Sequence, residues 1–277
     1  MIDGDTKLVA HIGYPTASFR APSIYNPWFA RRGINAAVVP LGVRSENFRE
    51  AFPQICRFTN FHGALITMPH KAAVVDWLDE ESAAVHVAGA CNAVRRSGDG
   101  KLIGDMFDGE GFVRATAAAG RNIVGQRALI VGAGGVGSAI AAACAKAGAR
   151  EIALVDTRAE AAERLADRLR LNYPGLTLSL GSTDPSGFDV AVNATPLGTY
   201  PGDPLPMEPS CLSASALVGE VVLKPALTAF LAAAQARGVA CVTGLDMLFE
   251  QIPAYLEFFG FPTATAAELR ETAEIKS

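Results

Sequence analysis

The sequence predicts an α/β protein of two domains, and three observations predict it. Short apolar runs alternate with helix-like stretches along the whole chain. In the second half those runs are apolar throughout, as strands of a parallel sheet buried on both faces are. The last two helix-like stretches follow the final strand of that half, which makes them a return to the first domain. The expected boundaries are residues 1–107 plus 243–277 for one domain and 108–242 for the other.

Each element has its own signal. "KLVAHIG" (7–13) reads as a strand, and "APSIYNPWFARRG" as a helix opened by Pro22 and stopped by Gly33. "AAVVPLGV" is a second strand, and Ser45 is placed to cap the helix "ENFREAFPQI". "HGALITM" is a third strand, followed by "PHKAAVVDWLDEESAAVHVAG". "CNAVRRSGDGKLIGDM" reads as a hairpin turning at Gly98–Asp99–Gly100. Further on, "RALIVGAG", "EIALVDT", "LTLSLGS", "DVAVNAT" and "ALVGEVV" read as buried parallel strands, with helices at 137–148, 158–171 and 226–237. After "VACVTG" come "LDMLFEQIPAYLEFFG" and "TAAELRETAEI".

Composition narrows the class. The chain has 277 residues, 50% hydrophobic and 19% charged, with a formal net charge of −4. No basic stripe is visible, which argues against a nucleic-acid partner. No apolar run reaches about 18 residues, which argues against a membrane span. The start "MIDGDTKLVA" carries acids where a signal peptide carries bases, so the expected location is cytoplasmic. Cys56, Cys91, Cys144, Cys211 and Cys241 are scattered in apolar contexts and read as reduced, buried thiols. His11, His62, His70 and His86 show no ligand spacing, and no metal site is assigned. The apolar "YLEFFGF" segment is open to two readings, core or interface, the second of which would make a homodimer.

The strongest local signal is "RALIVGAGGVGSAIAAACAKAGAREIALVDT". Gly132, Gly134 and Gly137 form G-x-G-x-x-G between an apolar strand and a helix, with Ala133, Gly135 and Val136 completing the loop. That arrangement permits a tight turn, close approach to a pyrophosphate, and close helix–strand packing, with the helix N-terminus facing the negative charge. Asp156 ends the next strand, where a carboxylate accepts from ribose hydroxyls and repels a 2′-phosphate. A Rossmann-type domain binding NAD, in preference to NADP, is therefore expected. Arg158 could instead bind such a phosphate, stack on adenine or stay solvated.

Polar groups end three apolar runs of the other half: "ITMPHK", "AGACNAV" and "GDMFDGEG", supplying Lys71, Asn92 and Asp108. A lysine and an aspartate together can hold a substrate hydroxyl and pass its proton as hydride leaves carbon. Lys71 alone also fits the solvated end of a helix.

Over essentially its whole length, and in the same order of segments, the chain resembles the shikimate/quinate dehydrogenase family. "GYPTASFRAP" is similar to G-x-P-x-x-x-S-x-S-P, "LITMPHK" to N-V-T-x-P-x-K, and "AGACN" to A-G-A-x-N. "GDMFDG" is similar to G-x-N-T-D-G, while "GAGGVG", "NAT" at 193–195 and "GLDMLFEQ" match the remaining motifs. The resemblance implies Lys71 and Asp108 as the catalytic pair, and Thr67, Asn92 and Gln251 as substrate-binding residues. It implies the 132–137 loop, Asn193, Ala194, Thr195 and Gly244 on the cofactor side, and a small cyclic hydroxy acid as substrate.

Departures from the pattern bear on the substrate. Phe19 and Ala21 stand where two serines grip a carboxylate, Leu65 replaces the Asn of N-V-T, and Met106–Phe107 replace Asn-Thr. Leu223 takes the place of a pocket tyrosine. Each charge-assisted hydrogen bond lost to a carboxylate costs roughly 1.5–3 kcal/mol. Ordinary biosynthetic activity in the shikimate pathway of aromatic amino acid synthesis is thereby argued against, unless Thr16, Ser18 or Arg20 rebuilds the clamp. The expected function is NAD-dependent oxidation of a ring secondary alcohol or reduction of its ketone. The rivals are the same chemistry on an amino-substituted or otherwise altered substrate, and a non-catalytic NAD-binding sensor.

Overall fold

A computed structural model describes residues 2–275. The chain divides into two compact units: one runs to Phe107 and resumes at Ile252, and the other is Asp108–Gln251.

The first unit is built on a six-stranded sheet. Its strands are β1 (Lys7–Gly13), β2 (Ala36–Gly42), β3 (Phe61–Ile66), β4 (Glu80–Glu81), β5 (Ala93–Arg96) and β6 (Leu102–Asp105), in the order β2-β1-β3-β5-β6-β4. The first three are mutually parallel, so their carboxyl ends share one edge of the unit. β5 pairs antiparallel with β3, and β6 pairs antiparallel with β5 in a hairpin. Helices α1 (Ala21–Arg32), α2 (Ser45–Ile55) and α3 (Ala83–Ala88) complete the connections. Gly33 ends α1 in the left-handed conformation, φ 65°. Ser45, expected as a cap, is instead the first residue of α2, and Arg44 before it makes no side-chain cap. The Ser82 hydroxyl caps α3 by accepting from Val85 N.

The second unit is a six-stranded parallel sheet: β7 (Arg127–Val131), β8 (Glu151–Val155), β9 (Thr177–Leu180), β10 (Val190–Asn193), β11 (Leu217–Glu220) and β12 (Ala240–Val242). The order β12-β11-β10-β7-β8-β9 reverses direction between β7 and β10, the doubly wound arrangement that opens a crevice at their carboxyl ends. Its helices are α4 (Asp108–Ala118), α5 (Gly135–Lys146), α6 (Ala159–Asn172), α7 (Ala229–Ala236) and α8 (Gly244–Phe258), which passes into the first unit at Ile252. One side of the sheet packs Leu129, Val131, Val218, Phe230 and Leu231 into a buried core. The expected strands are all present, but β9 is an edge strand with mostly exposed side chains rather than a buried one. Cys211 is also exposed, on a short 3-10 turn, where a buried thiol was expected.

The C-terminal return ends in α9 (Ala266–Thr272), opened by a reciprocal Thr265–Glu268 capping box. Tyr255, Leu256, Phe259 and Phe261 are all buried within the single chain. Phe261 packs on Phe29 and Tyr255 on Phe107, each pair at 4.9 Å between ring centroids. The "YLEFFGF" segment is therefore core of the first unit.

Candidate active site

In the first unit the polar residues expected to act on a substrate gather at the carboxyl ends of β1 and β3. Thr67 leaves β3 with its N–H donating to the Ile12 carbonyl (2.9 Å), and the Tyr14 N–H donates to the Met68 carbonyl (3.0 Å). Lys71 follows in a turn rather than on a helix. Its carbonyl accepts from Cys91 N at 2.7 Å, which puts the lysine backbone next to Asn92. Two roles of His70 hold that turn. Its Nε2 meets the Val43 carbonyl at 2.7 Å, and its ring stacks on Phe48 at 4.1 Å. Sequence reasoning did not assign this anchor; its only signal was a histidine between Pro69 and Lys71 in the turn that follows β3.

Asn92 is 1% exposed. Its Oδ1 accepts from Phe107 N (3.0 Å), while its Nδ2 has no partner among the described residues. A buried amide nitrogen left without an acceptor costs free energy unless a ligand meets it. The expected clamp looks different from the family pattern. Ser18 is exposed, and its hydroxyl donates to the Pro15 carbonyl of its own turn (3.2 Å). Arg20 is half-buried at the N-cap position of α1, and Ala21 is buried as the first residue of that helix. Phe19 stacks on the ring of His11, with centroids 3.9 Å apart and planes at 27°. Burial, with the Lys71 ammonium nearby, pushes the His11 imidazole down to about 3, so it is neutral near pH 7.

In the second unit Asp108 is buried as the first residue of α4, where the helix dipole favours a carboxylate. Gln251 lies on α8 against the same helix: a Cβ at Gly111, one turn past Asp108, would come within 2.7 Å of the Gln251 Cβ. Gln251 is 6% exposed, and its Oε1 is unpartnered among the described residues.

The glycine loop follows β7 at the topological switch. Gly132 sits at φ +108°, and a Cβ there would meet the Ala194 carbonyl oxygen at 2.6 Å. At Gly137 a Cβ would collide with the Gly132 carbonyl oxygen, so only glycine lets helix and loop approach this closely. Gly134 faces open space and offers α5 no side-chain cap, leaving first-turn N–H groups for an anion. Gly135 and Val136 form the first turn of that helix. Asp156, just past β8, accepts from Ala133 N and Arg158 N, both at 2.8 Å. Burial pushes its carboxyl up, but those two N–H groups and the Arg158 cation outweigh it and hold it below the usual carboxylate range. The Arg158 side chain is 72% exposed, with its Nε 3.5 Å from Asp156 Oδ1. A tight glycine turn, an uncapped helix start and a terminal carboxylate fit a dinucleotide.

Beside the loop lies a buried polar network that sequence reasoning did not assign. Glu220, 1% exposed at the end of β11, accepts from Asn193 Nδ2 (2.9 Å), Thr228 Oγ1 (3.1 Å), Val221 N and Val222 N. Asn193 also donates to the Leu197 carbonyl, and its Oδ1 accepts from Thr195 N and Thr195 Oγ1. The Asn193 amide is thus used within its own loop, shaping the Asn193–Thr195 segment whose Ala194 carbonyl faces Gly132. Gly244 abuts the residues after Glu220: a Cβ there would lie 2.5 Å from the Val222 carbonyl oxygen. Leu223 is half-buried in that segment. Burial pushes the Glu220 carboxyl up to about 7, against the pull of its four donors.

Comparison with known proteins settles the family. The profile of the shikimate dehydrogenase substrate binding domain matches residues 11–94, and that of the ThiF family matches residues 112–158. A protein of Rubrobacter xylanophilus named shikimate dehydrogenase (NADP(+)) is 39% identical over 262 residues, covering 90% of this chain and 89% of the relative. The chain belongs to the shikimate dehydrogenase family. Two solved structures are similar throughout. One is the shikimate 5-dehydrogenase of Listeria monocytogenes in complex with shikimate and NAD: TM-score 0.88, 26% identity, covering 98% of this chain and 97% of that one. The other is a 5-ketofructose reductase of Gluconobacter sp. strain CHM43: TM-score 0.86, 29% identity, covering 96% and 97%.

Proposed function

We propose that this protein is a dehydrogenase that exchanges hydride between NAD and a ring secondary alcohol or ketone of a shikimate- or quinate-like polyol. The observation that carries this reading is the buried Asn92 amide, unpartnered at Nδ2 and adjacent through the Cys91–Lys71 tie to the lysine backbone. A non-catalytic sensor has no need of a lysine held there by a dedicated histidine anchor.

Bound NAD supplies the hydride acceptor, and NADH the donor. Lys71 and Asp108 are the proton-handling groups. As the alcohol carbon gives up hydride, its hydroxyl proton passes to the Lys71 amine; in the reverse direction the ammonium returns it to the carbonyl oxygen. In the first unit Asn92 Nδ2 is a buried donor open to a ligand oxygen, and in the second Gln251 Oε1 is a buried acceptor open to a ligand hydroxyl. Thr67 is a third hydroxyl contact. In the second unit the 132–137 loop holds the pyrophosphate and Asp156 the adenosine ribose. Asn193 and Glu220 act by shaping the neighbouring loop.

Asp156 supports NAD over NADP, because its low-lying carboxyl stays charged and would repel a 2′-phosphate. Relatives in the family carry names with NADP(+), and the exposed Arg158 is the group that would take that phosphate. The test is steady-state kinetics with NAD and NADP on shikimate and quinate, and with NADH and NADPH on 5-ketofructose. The expected kcat/KM with NAD is at least tenfold higher, a difference of about 1.4 kcal/mol. Cofactor binding without turnover of any such substrate would favour the sensor. Equal efficiencies or an NADP preference would transfer the ribose-site role to Arg158.

A further inference from the structure

His11 is a buried polar group at the strand ends that the chemistry above leaves unused. It lies on β1 on the same face as Gly13, two residues on. A Cβ at Gly13 would run into the Thr67 methyl group and sit 3.0 Å from Phe19 Cζ. The imidazole is therefore on the Thr67 side of the sheet, with the Phe19 ring stacked on it. Its register partner on β3 is Leu65, about one strand spacing (~4.8 Å) away and on the same face. His11 Nδ1 is buried without a partner among the described residues.

Two departures from the family pattern meet at this imidazole. Phe19 stands where the pattern carries a serine, and Leu65 where it carries an asparagine. Both neighbours have lost their hydrogen-bonding groups, and Ser18 turns its hydroxyl to Pro15. What remains between Phe19 and Leu65 themselves is one neutral imidazole, with an aromatic wall on one side and an aliphatic wall on the other. We propose that His11, flanked by Phe19 and Leu65, binds an uncharged hydroxyl of the substrate, so that the site selects a carboxylate-free polyol over a shikimate-type acid. A neutral imidazole has one donor and one acceptor nitrogen, which match a hydroxyl that also both donates and accepts. A carboxylate only accepts, so it could use the imidazole N–H but not the acceptor nitrogen, and on the Phe19 and Leu65 sides it would lose water with no donor in return. Burial and the Lys71 cation keep His11 from becoming the cation that a carboxylate would need.

This inference rests on the dehydrogenase reading, and one experiment separates the two. KM and kcat are measured for shikimate, quinate and myo-inositol with NAD, and for 5-ketofructose with NADH, in wild type, His11→Leu and His11→Asn. Wild-type kcat/KM should be at least tenfold higher for an uncharged substrate than for shikimate. His11→Leu should raise KM for that substrate tenfold or more with kcat within threefold, and His11→Asn should recover most of the loss. The KM for NAD should stay put in all three. A wild type that prefers shikimate, or a His11→Leu KM within twofold of normal, overturns the inference while turnover keeps the dehydrogenase reading. No turnover with any substrate removes both. Should His11→Leu fail to fold, the wild-type preference and His11→Asn decide.

Discussion

Glu220 and His11 illustrate opposite ways of burying a titratable group. Glu220 has four donors around it, yet loss of water outweighs them and its carboxyl rises from an ordinary 4.5 to about 7. Between those two values the folded protein binds a proton that the unfolded chain has released. The stabilising contribution is therefore complete below about 4.5 and is lost as pH rises to about 7, amounting to about 3 kcal/mol. Glu220→Gln keeps an acceptor for Asn193 and cannot titrate. Chemical denaturation at pH 5 and pH 8 should show wild type losing stability relative to this variant as pH rises; a difference that does not vary with pH would contradict the account. Neither group was legible in the sequence. "GEVV" reads as a strand end and "AHIG" as strand interior, because burial of a polar side chain is a property of what packs over it. Lys71, Asn92 and Asp108 stand out in the sequence as candidates because each ends an apolar run, where the chain must leave the sheet.

At the scale of elements, the strands were the most readable feature and α4 the least. Continuous apolar runs need only a sheet interior to explain them, and all the expected strands formed. The segment "DGEGFVRATAA" carries two glycines that lower intrinsic helix propensity by about 1 kcal/mol each, so nothing local announces a helix. The glycines are there for packing: a Cβ at Gly109 would run into the Ala139 carbonyl of α5, and one at Gly111 into Gln251. The glycine loop obeys the same logic with a functional result. Gly137→Ala should place a methyl group against the Gly132 carbonyl, shift the loop and weaken NAD binding at least tenfold. It should also lower stability by about 1–3 kcal/mol, as overpacking does. Calorimetric titration with NAD and a thermal melt read the two effects. Unchanged affinity and melting temperature would mean that the loop has slack the packing does not show.

For the whole molecule, the order of motifs along the chain is enough to place it in its family. What the order could not supply is the character of the substrate-facing surface. The surface we propose for that role includes Leu65 and His11, which become neighbours through the pairing of β1 with β3, and Phe19, which stacks on His11 from the turn after β1. The division into two units gives the central claim its sharpest form. Proton transfer is assigned to Lys71 in the first unit, and dinucleotide binding to the glycine loop and Asp156 in the second. The most direct test is Lys71→Ala, with kcat followed on the best substrate and NAD affinity measured in parallel by titration. The account predicts a fall in kcat of roughly 10²–10⁴-fold, the span of general acid–base catalysis, with the Kd for NAD within twofold of wild type. Near-normal turnover in Lys71→Ala would contradict it.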